Sequence, residues 1–407
     1  MPVGLSDQMP ELFPIAGMRL SSVRSGIKKR PGNDLVLIEL SEGCRTAAVF
    51  TKNDFCAAPV TLAKAHLQSH QPKLLMINSG NANAGTGQPG MQAASDSCAI
   101  AARLVGCAPE EVLPFSTGVI GELLPVAPFE TGVPLAIAEL SATGWPAAAR
   151  GIMTTDIVPK AVSRKLDIDG HAVIITGIAK GSGMIHPNMA TMLGYVATDA
   201  AVSLPLLQKM LSDATDDSFN SITVDGDTST NDACTLTATG RSSLPEITDV
   251  HSSAYAQLSE AVTQVLTELA TMIVRDGEGA TKFMSIVVEE AATKAEAKQV
   301  GFTIAHSPLV KTAFFASDPN WGRILAAVGR AGLANLNLEA IRLYLGDVCI
   351  VENGGRSPTY TEAQGAAVMK EAEITIRVKL ARGSEKATIY TCDFSYDYVK
   401  INAEYRS

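Results

Sequence analysis

Residues 180–193 read KGSGMIHPNMATML, and this stretch interrupts an otherwise regular pattern of apolar strands and helices. The apolar residues before it predict a strand, and its Gly, Ser, Pro and Asn residues force an irregular backbone before the next strand begins. Within it, the Ala190-Thr191 bond places a hydroxyl residue directly after a small one. An N-to-O acyl shift requires this order, because the hydroxyl must reach the preceding carbonyl carbon. We therefore predict self-cleavage between Ala190 and Thr191.

The predicted cut would turn Thr191 into a new N-terminal residue. Its α-amino group would have a pKa of about 7.7 to 8, so a neutral fraction could take the proton from its own hydroxyl. One residue would then supply nucleophile and base, which suits a sequence whose histidines lie outside any GxSxG-type elbow. Taken alone, Thr191 is also compatible with an ordinary strand threonine.

Two further segments carry glycine-rich turns. FSTGVIG, residues 115–121, could aim the amides of Thr117 and Gly118, or the Thr117 hydroxyl, at an oxyanion, although such a turn also occurs without any catalytic role. NSGNANAGTG, residues 78–87, follows a strand and precedes a helix, as anion-binding loops do. It lacks Walker A spacing; we reject nucleotide binding and interpret its residues as loop-shaping, with an anion contact as the alternative.

Three polar segments stand out from their apolar surroundings: MTTDIVPK at 153–160, VRDGEGATKF at 274–283 and DPNWGRI at 318–324. A site for an amino acid must pair its carboxylate with a cation and its ammonium with a carboxylate. Lys180 and Glu278 are the candidates, because each lies beside glycine and could approach a ligand closely. Solvated surface charges are the alternative interpretation of both.

Periodicity indicates a mixed α/β fold. In the first half it predicts strands at 34–40, 44–51 and 74–78, a helix beginning at Pro59, helices at 88–105 and 128–140, and a hairpin turning at Asp169-Gly170. In the second half it predicts helices near 204–217, 252–274, 293–299, 321–331 and 361–371, and strands at 283–289, 341–351, 373–380 and 386–394. No flexible linker separates the halves, so we expect them to pack together.

Composition narrows the class of partner. A net charge of −9 argues against nucleic acid or an anionic membrane and favours a small-molecule ligand. We expect a cytoplasmic protein, since no apolar run approaches the length of a spanning helix. Seven scattered cysteines without a CxxC pair suit a reducing compartment. We predict no metal site, because His66 and His70 alone are four apart and lack a third ligand.

Taken together, these segments resemble the ornithine acetyltransferase (glutamate N-acetyltransferase) family. The likeness runs in chain order through NSGNANAGTG, STG, MTTD, KGSGMIHPNMATML, DGEGATK and VKTAFFASDPNWGR to NAEY, and so covers nearly the whole chain. The resemblance implies an α/β layered sandwich with mixed sheets between helix layers. It also implies an α chain of residues 1–190, a β chain of residues 191–407 and a dimer of αβ units.

The same resemblance implies an activity and a set of site residues. Acetyl would pass from N-acetylornithine to Thr191 and then to glutamate, without a bound cofactor, and acetyl-CoA could serve as an additional donor. Thr117 and Gly118 would form the oxyanion pair, and the substrate would contact Thr154, Lys180, Thr191, Glu278, Asn402 and Ser407. The family's final residue is often threonine, and here it is serine. His186 is interpreted as structural. A related self-processing aminopeptidase and an uncut metabolite-binding protein remain as alternatives.

Overall fold

The structure is a computed structural model that describes residues 2–186 and 192–404. The predicted cleavage pair, Ala190 and Thr191, and the predicted substrate contact Ser407 lie outside the described residues. The remaining predicted site residues lie within them.

The described chain mixes strands and helices along its whole length. Its strands are β1 (Met18–Val23), β2 (Leu35–Leu40), β3 (Arg45–Phe50), β4 (Leu74–Asn81), β5 (Val112–Val119), β6 (Lys160–Ile168), β7 (His171–Lys180), β8 (Leu193–Thr198), β9 (Ala233–Ala238), β10 (Phe283–Ala291), β11 (Arg342–Leu345), β12 (Val348–Glu352), β13 (Gly355–Arg356), β14 (Glu373–Lys379) and β15 (Glu385–Cys392). Its helices are α1 (Ala58–Ser69), α2 (Gly87–Val105), α3 (Ala127–Ala138), α4 (Trp145–Gly151), α5 (Leu204–Asp217), α6 (Ser253–Arg275), α7 (Lys294–Ala305), α8 (Pro308–Phe315), α9 (Trp321–Gly329), α10 (Glu362–Met369) and α11 (Tyr396–Ala403).

Two sheets pack face to face at the centre of the molecule. The first sheet has the order β1-β2-β4-β5, and the second has the order β3-β9-β8-β7-β6. Apolar side chains from both sheets form one core between them, in which Phe115 of β5 meets Tyr195 of β8 edge to face, with ring centroids 5.3 Å apart. Burial of these facing surfaces is the main force that holds the two sheets together.

Helices cover the outer faces of this pair of sheets. The apolar faces of α2 and α3 share a core with the first sheet, and those of α5 and α6 share a core with the second. The order of layers is therefore helix, sheet, sheet, helix. The expected layered α/β sandwich is confirmed.

The third sheet lies in the C-terminal part, in the order β13-β12-β11-β14-β10-β15. It has its own apolar core with α7, α8 and α9. Phe283 of β10 and its pairing partner Cys392 of β15 belong to the core of the second sheet instead, and Ile222 forms a β-bridge to Tyr390. These contacts pack the C-terminal part against the sandwich.

The second sheet combines strands from both sides of the predicted cleavage bond. Strands β3, β6 and β7 precede that bond in the sequence, and β8 and β9 follow it. In the antiparallel pair β7 and β8, Lys180 lies opposite Leu193, and β3 runs antiparallel to β9. The predicted α and β chains therefore share one continuous sheet.

Most predicted elements match the structure. The helix predicted near 293–299 extends to Ala305, and two further elements differ. The hairpin at Asp169-Gly170 joins β6 and β7 as predicted. Residues 341–351, predicted as a single strand, form the antiparallel pair β11 and β12, because the chain turns at Gly346-Asp347. Thr117 and Gly118, predicted in a turn, occupy the end of β5.

Several negative findings apply to residues 2–186 and 192–404. No helix there is both long and apolar enough to cross a membrane. The same ranges contain no cluster of three or more His, Cys, Asp or Glu side chains that could hold a metal ion. His66 is buried, and its Nδ1 atom lies 2.8 Å from the carbonyl oxygen of Val112. All seven cysteines are free.

Candidate active site

A polar pocket of about 260 Å³ lies where the ends of β5, β7 and the loop after α6 meet. The structure brings together here every predicted site residue that it describes: Thr117, Gly118, Thr154, Lys180, Glu278 and Asn402. These residues come from five separate segments of the sequence. Their convergence leaves room for a small, charged ligand.

The predicted oxyanion pair forms one wall of the pocket. Thr117 is buried, and its Oγ1 accepts a hydrogen bond of 3.2 Å from the Nζ of Lys180. Gly118 has a φ of +136°, and a Cβ atom added there would lie 2.3 Å from the carbonyl carbon of Gly80 on β4. Only glycine fits this close approach of the two strands. This wall therefore consists of closely packed backbone, and the Thr117 hydroxyl is the side-chain group that it presents to the pocket.

Replacement of Gly118 by alanine should destabilise the protein. The new Cβ would overlap backbone atoms of Gly80 and Asn81, and the backbone would also be strained at positive φ. We expect a loss of roughly 2–6 kcal/mol in the free energy of unfolding, which urea denaturation would measure. Gly170→Ala is the matched control: its φ is +83°, but nothing lies within 4 Å, so only the strain applies. Equal losses in both variants would contradict the close approach.

Lys180, the last residue of β7, supplies the positive charge of the pocket. Desolvation lowers the pKa of its ammonium group, and the nearby carboxylates of Asp156, Asp232 and Glu278 oppose that effect. A cation held in this way, beside the Thr117 hydroxyl, can pair with a carboxylate of a ligand.

Glu278 supplies the opposite charge, and Asn402 fixes its position. Glu278 is 6% exposed, and its Oε2 accepts a hydrogen bond of 2.9 Å from the Nδ2 of Asn402 on α11. The neighbouring Gly279 has a φ of +70°, and a Cβ there would lie 2.4 Å from the amide nitrogen of Tyr398. Ser395 closes the same contact by donating a 2.6 Å hydrogen bond to the Gly279 carbonyl. Helix α11 is therefore anchored against the loop that bears Glu278.

Thr154, on the MTTD segment, also lines the pocket. Its amide donates a 3.0 Å hydrogen bond to Oδ2 of Asp156, and its carbonyl accepts one from Arg30. The adjacent Thr155 hydroxyl lies 2.7 Å from the Ser182 hydroxyl. The two loops that flank the pocket are thus bonded to each other.

The described chain approaches the predicted nucleophile from both sides. Before it, Ile185 accepts from the amide of Val224, and the Nδ1 of His186 lies 3.2 Å from the carbonyl of Gly226. The His186 ring also packs on His306 at 4.3 Å, and burial lowers its pKa. After it, Met192 accepts a 2.9 Å hydrogen bond from Ala233. His186 does not line the pocket.

One wall of the pocket was not predicted from the sequence: it is formed by Ser229, Thr230 and Asn231. Among the described residues, the buried Oδ1 of Asn231 has no hydrogen-bond partner, so it is available to a donor group of a ligand. The run DGDTSTND at 225–232 is as polar as the segments that were selected, and this polarity was the available signal.

Two selected segments have other roles in the structure. In the NSGNANAGTG loop, Asn81 accepts from the amide of Asn83, the side chain of Asn83 donates to the carbonyl of Gly90 in α2, and only Ala82 lines the pocket. This fits the loop-shaping interpretation. The DPNWGRI segment lies away from the pocket lining, where the side chain of Asn320 caps α9 through the amide of Arg323.

The pocket suits a small, charged ligand, and comparison with known proteins assigns the chain to a class of acyltransferases. The family model described as ArgJ family matches residues 19–407, and the chain belongs to this family. The arginine biosynthesis bifunctional protein ArgJ of Pseudomonas fluorescens (strain Pf0-1) is 54% identical over 407 residues, which is 100% of each chain. The protein of the same name from Methylococcus capsulatus is 57% identical over 396 residues, which is 97% of each chain.

Solved structures of similar proteins are also known. The arginine biosynthesis bifunctional protein from Bacillus halodurans is 39% identical, with a TM-score of 0.49, and the match covers 51% of this chain and 96% of that one. The ornithine acetyltransferase from Mycobacterium tuberculosis, solved in complex with ornithine, is 31% identical, with a TM-score of 0.38, over 44% of this chain and 94% of that one.

Proposed function

We propose that this protein transfers the acetyl group of N2-acetyl-L-ornithine to L-glutamate, giving L-ornithine and N-acetyl-L-glutamate. As a member of the ArgJ family it is an acetyltransferase of arginine biosynthesis. We place its activity in the cytoplasm, which the seven free cysteines support.

One observation carries the proposal: a cation, a carboxylate and a candidate oxyanion donor line the same small pocket. Lys180 suits the α-carboxylate that acetylornithine and glutamate share, and Glu278 suits the side-chain ammonium of acetylornithine. Thr117 and Gly118 lie beside Lys180, where the acetyl carbonyl would develop negative charge. The pocket therefore offers one group for each part of the substrate.

The proposed reaction follows a ping-pong course through acetylated Thr191. We propose that the bond after Ala190 cleaves itself, which leaves an α chain of residues 1–190 and a β chain of residues 191–407. The freed amine of Thr191 takes the proton of its hydroxyl, and the oxygen attacks the acetyl carbon. The oxyanion collapses and expels the ornithine nitrogen, which receives that proton. The neutral amine of glutamate then attacks the acetyl ester; the Thr191 amine takes the proton that this nitrogen loses and passes it to the departing threonine oxygen, which regenerates Thr191.

The further parts of the proposal concern the ends of the chain and its assembly. Ser407 would add a hydroxyl to the substrate site, and two αβ units would form a dimer. No bound cofactor is required, because the acetyl group travels on the substrates and Thr191. The relatives named as bifunctional favour a second activity, the acetylation of glutamate from acetyl-CoA.

A two-donor assay tests the proposal. Purified protein is incubated with glutamate and either N2-acetylornithine or acetyl-CoA, and N-acetylglutamate is measured by mass spectrometry. Product from acetylornithine supports the main activity, and product from acetyl-CoA supports the second. Release of ornithine and acetate without N-acetylglutamate would instead identify a hydrolase of the self-processing aminopeptidase kind. No turnover of either donor by fully cleaved protein would contradict the proposal.

Glu278→Gln should weaken the binding of acetylornithine. The variant keeps the shape of the side chain and an oxygen for Asn402, but it loses the charge that pairs with the substrate ammonium. A hydrogen bond to a charged group is worth about 1.5–3 kcal/mol, so we expect kcat/KM for acetylornithine to fall roughly 10- to 150-fold. Asn402→Asp serves as the comparison, because it places a second carboxylate beside the first. An unchanged kcat/KM in Glu278→Gln would remove Glu278 from the substrate site.

A further inference from the structure

A buried group of three charges, Asp156, Lys160 and Asp276, lies behind the pocket. The Nζ of Lys160 is 2.6 Å from Oδ1 of Asp156 and 2.6 Å from Oδ2 of Asp276, and all three side chains are fully buried. Buried ion pairs are poor stabilisers in general, since desolvation of the charges costs about as much as their attraction returns. A buried triad at this position therefore needs another explanation than stability.

The contacts of Asp156 supply that explanation. Its Oδ1 also accepts a 2.7 Å hydrogen bond from the amide of Gly181, the residue after Lys180. Its Oδ2 accepts from the amide of Thr154, at 3.0 Å. A single carboxylate therefore joins the two segments that carry Lys180 and Thr154 to the pocket. Asp276 plays a different part: it is the C-cap residue of α6, two residues before Glu278, and its Oδ2 accepts from the amide of Ile157.

We propose that Asp156 is a positioning residue for acetyl transfer, which holds the charged ammonium of Lys180 and the Thr154 segment in place. The role rests on the proposed function. Two carboxylates surround one lysine in the triad, so a negative charge remains that the ammonium of Lys180 balances. Other charged groups act on Lys180 from each side: Lys160 on β6, Asp232 before β9, Glu278 after α6 and Lys28 from the N-terminal region. Asp276 shares Lys160 as a partner, but its carboxylate accepts from the amides of Ile157 and Val158, whereas that of Asp156 accepts from the amide beside Lys180.

The directions of the pKa shifts agree with this geometry. Burial acts to raise the pKa of Asp156, but the charges of Lys160 and Lys180 outweigh it and hold that pKa below its usual value. In turn, desolvation lowers the pKa of Lys180, and the charge of Asp156 opposes this effect more strongly than any other nearby charge. Loss of the Asp156 charge should therefore let Lys180 lose its proton at a lower pH.

The test compares the pH dependence of kcat/KM in three variants of the cleaved enzyme, with the same substrates throughout. The neutral amine of Thr191 sets the acidic limb of the profile and charged Lys180 sets the alkaline limb. Asp156→Asn should move the alkaline limb down by roughly one pH unit or more. Asp276→Asn, the matched control, should lower thermal stability to a similar degree and leave that limb in place. Lys160→Gln should move it upward, because Lys160 lowers the pKa of Lys180.

The outcomes are distinct. The positioning role is supported if the alkaline limb of the kcat/KM profile moves to lower pH in Asp156→Asn and stays in place in Asp276→Asn. If the limb stays in place in both variants, the triad has only a structural role. If Asp156→Asn does not fold or cleave, Lys160→Gln provides the test: its alkaline limb should move to higher pH, and an unchanged limb would overturn the inference. Absence of acetyl transfer by the unmodified enzyme would refute the proposed function itself, which separates the two failures.

Discussion

Thr191→Ala should leave the protein as one uncut chain of 42.7 kDa without acetyltransferase activity. The variant lacks the hydroxyl that the acyl shift requires, and without the cut there is no free amine to act as base. Intact mass under denaturing conditions measures the result directly. The unmodified protein should instead yield chains of 190 and 217 residues, the larger beginning with Thr191.

The control for this experiment is Thr191→Ser, which keeps a hydroxyl in the same place. It should still be cut, though more slowly, and should retain part of the activity. If the unmodified protein stays a single chain in an active preparation, Thr191 has no free amine. The proposed mechanism would then be wrong even though the chain belongs to the ArgJ family.

Thr117→Ala should lower kcat by roughly 10²–10³-fold, the typical cost of one lost oxyanion donor. The variant removes the hydroxyl that faces Lys180 and leaves the β5 backbone, including the amide of Gly118, in place. Because the contact is made to charge that develops in the transition state, KM should change much less than kcat. Steady-state kinetics with acetylornithine and glutamate would separate the two.

Thr117→Ser is the matched variant, since it restores the hydroxyl and omits only the methyl group. It should recover most of the rate lost in Thr117→Ala. An unchanged kcat in Thr117→Ala would remove this side chain from the oxyanion role and leave the amide of Gly118 as the remaining donor of the pair.

Much of the fold was predictable because local patterns dominate it. The hairpin at Asp169-Gly170 needs only a two-residue turn between alternating strands, and such a signal is complete within a dozen residues. The order of strands in the second sheet could not be predicted in this way, because β3 pairs with β9, which lies nearly two hundred residues away in the sequence. Periodicity contains no information about such distant pairs.

The candidate site shows the same division. Lys180 and Glu278 could be selected from chemistry alone, because an amino-acid ligand needs both charges. The partners that orient them could not: the contact of Asn402 with Glu278 depends on how closely α11 approaches Gly279, and Asp156 reaches the amide of Gly181 only after folding. The Ser229 to Asn231 wall was missed although its polarity was visible in the sequence.

The sheet shared by the two proposed chains has a consequence for how the enzyme is made and kept. While the chain is uncut, β7 and β8 belong to one molecule, and pairing them costs only the entropy of closing a short loop. The proposed precursor would therefore form this sheet before it is cut. Once that connection is cut, unfolding releases two separate molecules, and refolding becomes a second-order encounter that dilution disfavours. If the proposed cleavage occurs, the mature enzyme would be assembled only once, from its precursor, and its lifetime would depend on its rate of unfolding rather than on its ability to refold.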